Sequence, residues 1–169
     1  DTGTAEGVRQ RKSLPDSCPV CREPLPPGAA KLFDKAIQKY MKVRRAVERG
    51  GRGWGKLPRK VQEEMDAVHE LWVMAAEQAH AQAQYSLGTL YHHGQGVAQD
   101  FTAAREWYEK AAAQGNAGAQ NNLGILYKNG QGVAQDFTAA REWYGKAAAQ
   151  GHADAQFNLG VLYENGPGA

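Results

Sequence analysis

The chain reads as an all-α protein, a right-handed α-solenoid of antiparallel helix pairs. Three observations predict this. Residues 94–129 recur thirty-six positions later as residues 130–165 with only six differences. The period reaches further back, since Leu87, Leu123 and Leu159 stand 36 apart, as do Gly88, Gly124 and Gly160, and Tyr91, Tyr127 and Tyr163. Within a copy the apolar residues follow helical spacing, as Ala83, Leu87 and Tyr91 do. Units repeated at this length bury their apolar faces mainly against one another.

The first element is expected over residues 30–49, where Phe33, Ile37, Tyr40, Val43 and Val47 make an apolar face. Gly50-Gly51-Arg52-Gly53-Trp54-Gly55 is a flexible basic connection. Residues 57–78 then fit the same grid: Ala67, Glu70, Ala75 and Ala76 precede Ala103, Glu106, Ala111 and Ala112 by 36, with Leu71-Trp72 in place of Trp107-Tyr108. Residues 29–79 are thus a degenerate repeat, as expected of a unit with a neighbour on one side only. The third element spans residues 81–93 and ends at Gly94-Gln95-Gly96, where glycine supplies a left-handed cap. Its internal Gly88 costs about 1 kcal/mol relative to alanine in an isolated helix, so close helix–helix approach is the expected reason for it. Asp100 is the expected N-cap of a helix over residues 100–114, with Ala104, Trp107, Tyr108, Ala111 and Ala112 on its buried face and Gly115 ending it. The remaining copies repeat this pair, the last one truncated, so repeats occupy residues 80–169.

The pattern Ala83-x3-Leu87-Gly88-x2-Tyr91-x2-Gly94-x-Gly96-Val97-x2-Asp100-x3-Ala104-x2-Trp107-Tyr108-x2-Ala111-Ala112 resembles the Sel-1-like repeat, a relative of the tetratricopeptide repeat. The resemblance covers roughly residues 60–169. It implies a scaffold for protein–protein recognition.

Net charge is +2, which conceals an asymmetry. Residues 1–60 hold 15 Lys and Arg against 6 Asp and Glu, a net of +9, and the rest of the chain is acidic. No apolar run reaches the ~18–20 residues of a membrane span, and no secretory signal opens the chain. Two cysteines, Cys18 and Cys21, argue against a disulfide-stapled secreted fold and for an intracellular, reducing and thus cytoplasmic setting. The chain starts at Asp1 and stops at Gly166-Pro167-Gly168-Ala169 inside a repeat loop, so it is expected to be a fragment of a longer protein.

Residues 1–28 form a separate tail carrying Cys18-Pro19-Val20-Cys21. Two thiolates at this spacing can grip one zinc ion, but a structural site needs four ligands. No other cysteine exists, and His69, His80, His92, His93 and His152 all lie far along the chain. The segment Cys18-Pro19-Val20-Cys21-Arg22-Glu23-Pro24-Leu25 is similar to the end of a RING finger. That resemblance implies Cys18 and Cys21 as the final zinc ligands, and Pro19 and Arg22 near a ubiquitin-conjugating enzyme and ubiquitin. Six ligands of the pattern are absent, so another zinc knuckle and an incidental pair stay open as readings. A thioredoxin-like site does not fit, for no βαβ pattern surrounds the pair.

Other constellations carry little chemistry. Lys31, Lys35, Lys39, Lys42, Arg45 and Arg49 form a basic stripe opposite the apolar face of the first helix. A solvated face explains it better than a nucleic-acid site, because aromatic residues do not interleave with the charges. The Gly-x-Gly elements lack the Lys-Ser/Thr of a phosphate loop. No Ser–His–Asp or paired-carboxylate arrangement recurs, so no active site is visible.

Four of the six differences between the copies, Gly118/Asp154, Asn121/Phe157, Ile125/Val161 and Lys128/Glu164, fall on one helix face. By analogy with the tetratricopeptide repeat, the concave face should present Gln82, Tyr85, Thr89 and His92, then Gly118, Asn121, Ile125 and Lys128, then Asp154, Phe157, Val161 and Glu164. The expected partners are other proteins, met by a scaffold that selects partners or substrates for a RING-type ubiquitin ligase. The alternative is a structural adaptor with no link to ubiquitin.

Overall fold

The computed structural model describes residues 28–51 and 53–165. Among them run seven helices and no strand: α1 (Ala29–Gly50), α2 (Arg59–Glu77), α3 (Ala81–His93), α4 (Phe101–Ala113), α5 (Ala117–Asn129), α6 (Phe137–Ala149) and α7 (Ala153–Asn165). Consecutive helices pack on one another, and α3 also touches α5, so the first helices of successive pairs lie side by side. This is an all-α helical repeat fold.

Local chemistry sets the boundaries. The Asp100 carboxylate accepts hydrogen bonds from the backbone N–H groups of Thr102 and Ala103, and Asp136 does the same for Thr138 and Ala139. Both thus cap otherwise unpaired donors. At α5 Asn116 Oδ1 caps in the usual way, accepting from the backbone N–H three residues on, and at α3 and α7 the less common histidine does so through His80 Nδ1 and His152 Nδ1. Gly94 and Gly130 close α3 and α5 with φ of 62° and 67°, the left-handed region that glycine tolerates.

Packing departs from the sequence expectation at two points. In α1 the buried face is Leu32, Ala36, Val43 and Val47, while Phe33, Ile37 and Tyr40 are half-buried on its flank. Phe33 borders Trp72, and Tyr40 borders Trp72 and Trp54, instead of entering the centre, while Ile37 packs against its edge. The second point is Gly88. A Cβ placed there would lie 2.5 Å from Cδ1 and Cε1 of Tyr108, and one on Gly124 equally close to Tyr144. The glycine therefore receives the tyrosine ring of the next helix, not a helix backbone. The recurring tyrosine of the first helix is met from the preceding pair. His69 Nε2 and the Tyr91 hydroxyl share a hydrogen bond of 2.9 Å, and Arg141, two periods after His69, sets its guanidinium 5.3 Å from the Tyr163 ring centre.

Candidate functional site

The face named from sequence lies on α3, α5 and α7. Gln82 is exposed there, and Tyr85, Thr89 and His92 are half-buried. The Tyr85 ring leans over α5, with Cε2 3.0 Å from where a Gly118 Cβ would stand. Thr89 Oγ1 donates to the Tyr85 carbonyl at 3.1 Å and accepts from the Tyr108 hydroxyl at 3.4 Å. Burial pushes that hydroxyl's pKa up to about 12. His92 rests edge-on against Phe101 and Tyr108. Burial lowers its pKa, and neighbouring His93 lowers it further.

Further along, Asn121 is only 6% exposed, accepting from Asn158 Nδ2 at 3.1 Å and donating to Asn122 at 3.5 Å. Ile125 packs beside Tyr144 and Leu162. Lys128 and Val161 are half-buried, whereas Asp154, Phe157 and Glu164 are exposed, Phe157 at 72%. Across α3 and α5 the structure joins Tyr85 to Gly118, and Gln82 to Asn116 through a 3.3 Å hydrogen bond. Gly118 and Asn121 are thus covered by neighbouring repeats and offer little open surface. Side-by-side first helices share this face with each other before any partner can use it.

One cleft opens where this face meets the first hairpin. It has a volume of about 110 Å³ and is lined by Ile37 and Tyr40 of α1, Trp72 of α2, and Tyr85, Ser86 and Thr89 of α3, among others. Tyr40 is held by donating to Gln95 Oε1 at 2.9 Å and by its tilted contact with Trp72, 5.2 Å between ring centres. Trp72 occupies the repeat position of Tyr108 and Tyr144. It is 2% exposed, and its indole N–H has no acceptor. Tyr108, by contrast, places its hydroxyl on Thr89.

Sequence reasoning missed a second polar element. Gln84 and Gln120 are buried, and their amides donate to Ala76 O and Ala112 O at the end of the preceding helix. Each side-chain oxygen accepts at 2.7 Å from the glutamine closing its own pair, Gln114 or Gln150. Gln156 repeats the donation to Ala148 O. The signal was available, since Gln84, Gln120 and Gln156 stand 36 apart.

Cys18 and Cys21 lie outside the described residues. Among the described residues no three His, Cys, Asp or Glu gather as a metal group, and no helix is long and apolar enough to cross a membrane. Lys31, Lys35, Lys42, Arg45 and Arg49 of the basic stripe are exposed, with Lys39 half-buried.

Comparison with known proteins agrees with this architecture. No curated protein matches. A Sel1 repeat protein from Oxalobacter formigenes is similar in structure, with a TM-score of 0.64 and 28% identity over 83% of this chain and 51% of its own. The c5321 protective antigen of uropathogenic Escherichia coli, which displays an SLR fold, gives 0.60 and 29% over 83% of this chain and 34% of its own. The chain therefore spans about half and about a third of these two proteins. Helicobacter pylori cysteine rich protein B shares the fold, at a TM-score of 0.53 and 23% identity over 75% of this chain and 94% of its own. The family model for the Sel1 repeat matches residues 81–116, 117–152 and 153–169, each match opening at the first residue of α3, α5 or α7. The chain belongs to the Sel1 repeat family.

Proposed function

We propose that this chain is a protein-interaction scaffold that engages its partner through the face of its first helices, α3, α5 and α7. The observation that carries the reading is where the near-identical copies differ. Four of six differences fall on that face, and the helices behind it, α4 and α6, differ once, at Glu109/Gly145. The exposed members, Gln82, Asp154, Phe157 and Glu164, are the open contact positions. Phe157 is the strongest anchor among them, because a large aromatic contributes most where a partner desolvates it.

A ubiquitin-ligase role rests on the Cys18-Pro19-Val20-Cys21 segment alone. Cys18 and Cys21 supply two of the four ligands that a structural zinc ion needs, and the interaction proposed for the helical face uses neither. The adaptor reading needs no zinc, and it is the one the helical repeats support.

Site-specific photo-cross-linkers test the interaction face. Placed at Gln82, Phe157 and Glu164, they should capture the partner; placed at Glu106 and Glu142 on α4 and α6, they should not. Capture from the latter pair alone would put recognition on the opposite side.

A further inference from the structure

We infer that the groove along the seam of α1 and α2 takes an acidic segment of a partner protein, with apolar side chains of that segment on the groove floor and its carboxylates on the lysines of the rim. This is a second surface, built from α1, α2 and their connection. It is independent of the face of α3, α5 and α7.

The floor is apolar and has room. Two adjoining hollows, of about 290 and 210 Å³, share Ala46 and Val61. Val43 and Val47 of α1 and Leu57 of the connection complete the floor. A cavity of ~150 Å³ already holds a benzene ring, so each hollow accommodates a leucine or phenylalanine side chain. At the edge, Gly50 and Gly53 add no side chain, and a β-carbon on either would meet nothing within 4 Å.

The rim is cationic. Lys56 borders the larger hollow, and Lys42 and Lys60 border the smaller, where Glu64 is the one carboxylate. Arg44 and Arg59 are already paired with Glu48 and Glu63, both at 2.8 Å. Among the described residues, Lys42, Arg45, Arg49, Lys56 and Lys60 form no ion pair. Like charges four apart on a helix, as Arg45 and Arg49 are, weaken it. An arriving carboxylate relieves that repulsion, and the field of the rim draws it in before contact.

Floor and rim together select the partner. Single-stranded nucleic acid stacks its bases on aromatic side chains, and neither lining contains one. A membrane surface is entered by protruding apolar side chains. Here Val43 and Val47 are buried, and Ala46, Leu57 and Val61 are half-buried. A recessed apolar floor under lysines fits the side chains of an acidic protein segment instead.

The test is fluorescence anisotropy with the full chain at about 0.15 M salt. The probe is fluorescein-labelled Asp-Glu-Leu-Asp-Glu-Leu-Glu-Asp. One control replaces its acids with asparagine and glutamine, and the other replaces its leucines with alanine. Each control should bind at least about tenfold more weakly than the probe. Lys56→Glu with Lys60→Glu, both at exposed positions, should weaken probe binding about tenfold, because each reversal removes an attraction and adds a repulsion. Lys31→Glu with Lys35→Glu changes net charge equally but lies roughly 16–22 Å from Ala46 along α1, beyond the ~8 Å screening length, and should leave binding unchanged. Ala46→Phe fills the floor that both hollows share and should weaken binding without any change of charge. A probe that binds no better than either control overturns the inference, as does equal weakening by the two lysine pairs. Phosphatidylserine vesicles or oligothymidine that bind where the probe does not, and are released by Lys56→Glu with Lys60→Glu, would also overturn it, in favour of a membrane or a nucleic acid.

Discussion

Tyr108 lays its ring where a β-carbon of Gly88 would stand, and Tyr144 does the same at Gly124, each with ring carbons 2.5 Å from that point. Gly145, inside α6 on the face away from these rings, has nothing within 4 Å of its own β-carbon position. The same substitution should therefore act in opposite directions along one chain. Alanine is favoured over glycine inside a helix by about 1 kcal/mol, but forcing a methyl against a buried ring costs about 1–3 kcal/mol. Gly124→Ala should lower stability by about 1–2 kcal/mol, and Gly145→Ala should leave it unchanged or raise it. Urea midpoints of the two variants check this. Equal shifts would show that the ring contact does not decide the glycine.

The glutamine clamp predicts a second effect. Gln120, itself buried, joins Ala112 O of α4 to Gln150, the exposed residue that follows α6. Gln120→Leu should cost about 0.5–1.5 kcal/mol, because the Ala112 carbonyl loses one of its donors while the exposed Gln150 amide turns to water. A double-mutant cycle with Gln150→Ala isolates the shared bond, and its coupling should be at least about 0.5 kcal/mol.

Much of this was legible in the chain, for a physical reason. Helix ends obey local rules, so Asp100 was readable as a cap and Gly94 as a stop before any packing was known. The repeat period identified Leu87, Leu123 and Tyr108 as recurrent packing residues. What could not be read was which atoms meet. Gly88 signalled a close approach but not a tyrosine ring, and Leu32 and Ala36 were passed over for the larger Phe33 and Ile37. The face positions were legible as variable, but their burial depends on the neighbouring repeat. Asn121 and Gly118 are covered by residues more than thirty positions away in sequence.

Acid should loosen the fold through two histidines. Burial lowers the pKa of His69, against the opposing pull of Asp66 and Glu70, and burial with His93 lowers that of His92. A depressed folded pKa means that the unfolded chain binds more protons. The contribution is fully present above the unfolded value of about 6.5 and is lost as pH falls below it towards the folded value. The thermal midpoint should drop between pH 7.5 and pH 5.5. His69→Gln with His92→Gln should make that drop smaller; an unchanged pH profile would discount both residues.

The last prediction concerns why the repeat face varies. Tyr85 leans on Gly118, whereas the next pair at the same positions is Asn121 and Asp154. Size is exchanged across the boundary between repeats, a large ring before glycine and a small amide before aspartate. Gly118→Asp alone places a β-carbon 3.0–3.3 Å from the ring edge and hydroxyl of Tyr85. It should destabilise by about 1 kcal/mol, since the half-buried ring can yield in part. Adding Tyr85→Asn recreates the second pair. The cost of Gly118→Asp should then vanish or become a gain, because a carboxylate in the first turn of a helix is favourable by about 0.3–1 kcal/mol. Additive effects in this cycle, measured by urea denaturation, would mean that the two positions vary independently, leaving partner choice as the sole constraint on the face. Coupling of the predicted sign would assign Tyr85 and Gly118 to inter-repeat packing and leave Gln82, Asp154, Phe157 and Glu164 as the residues free to choose a partner.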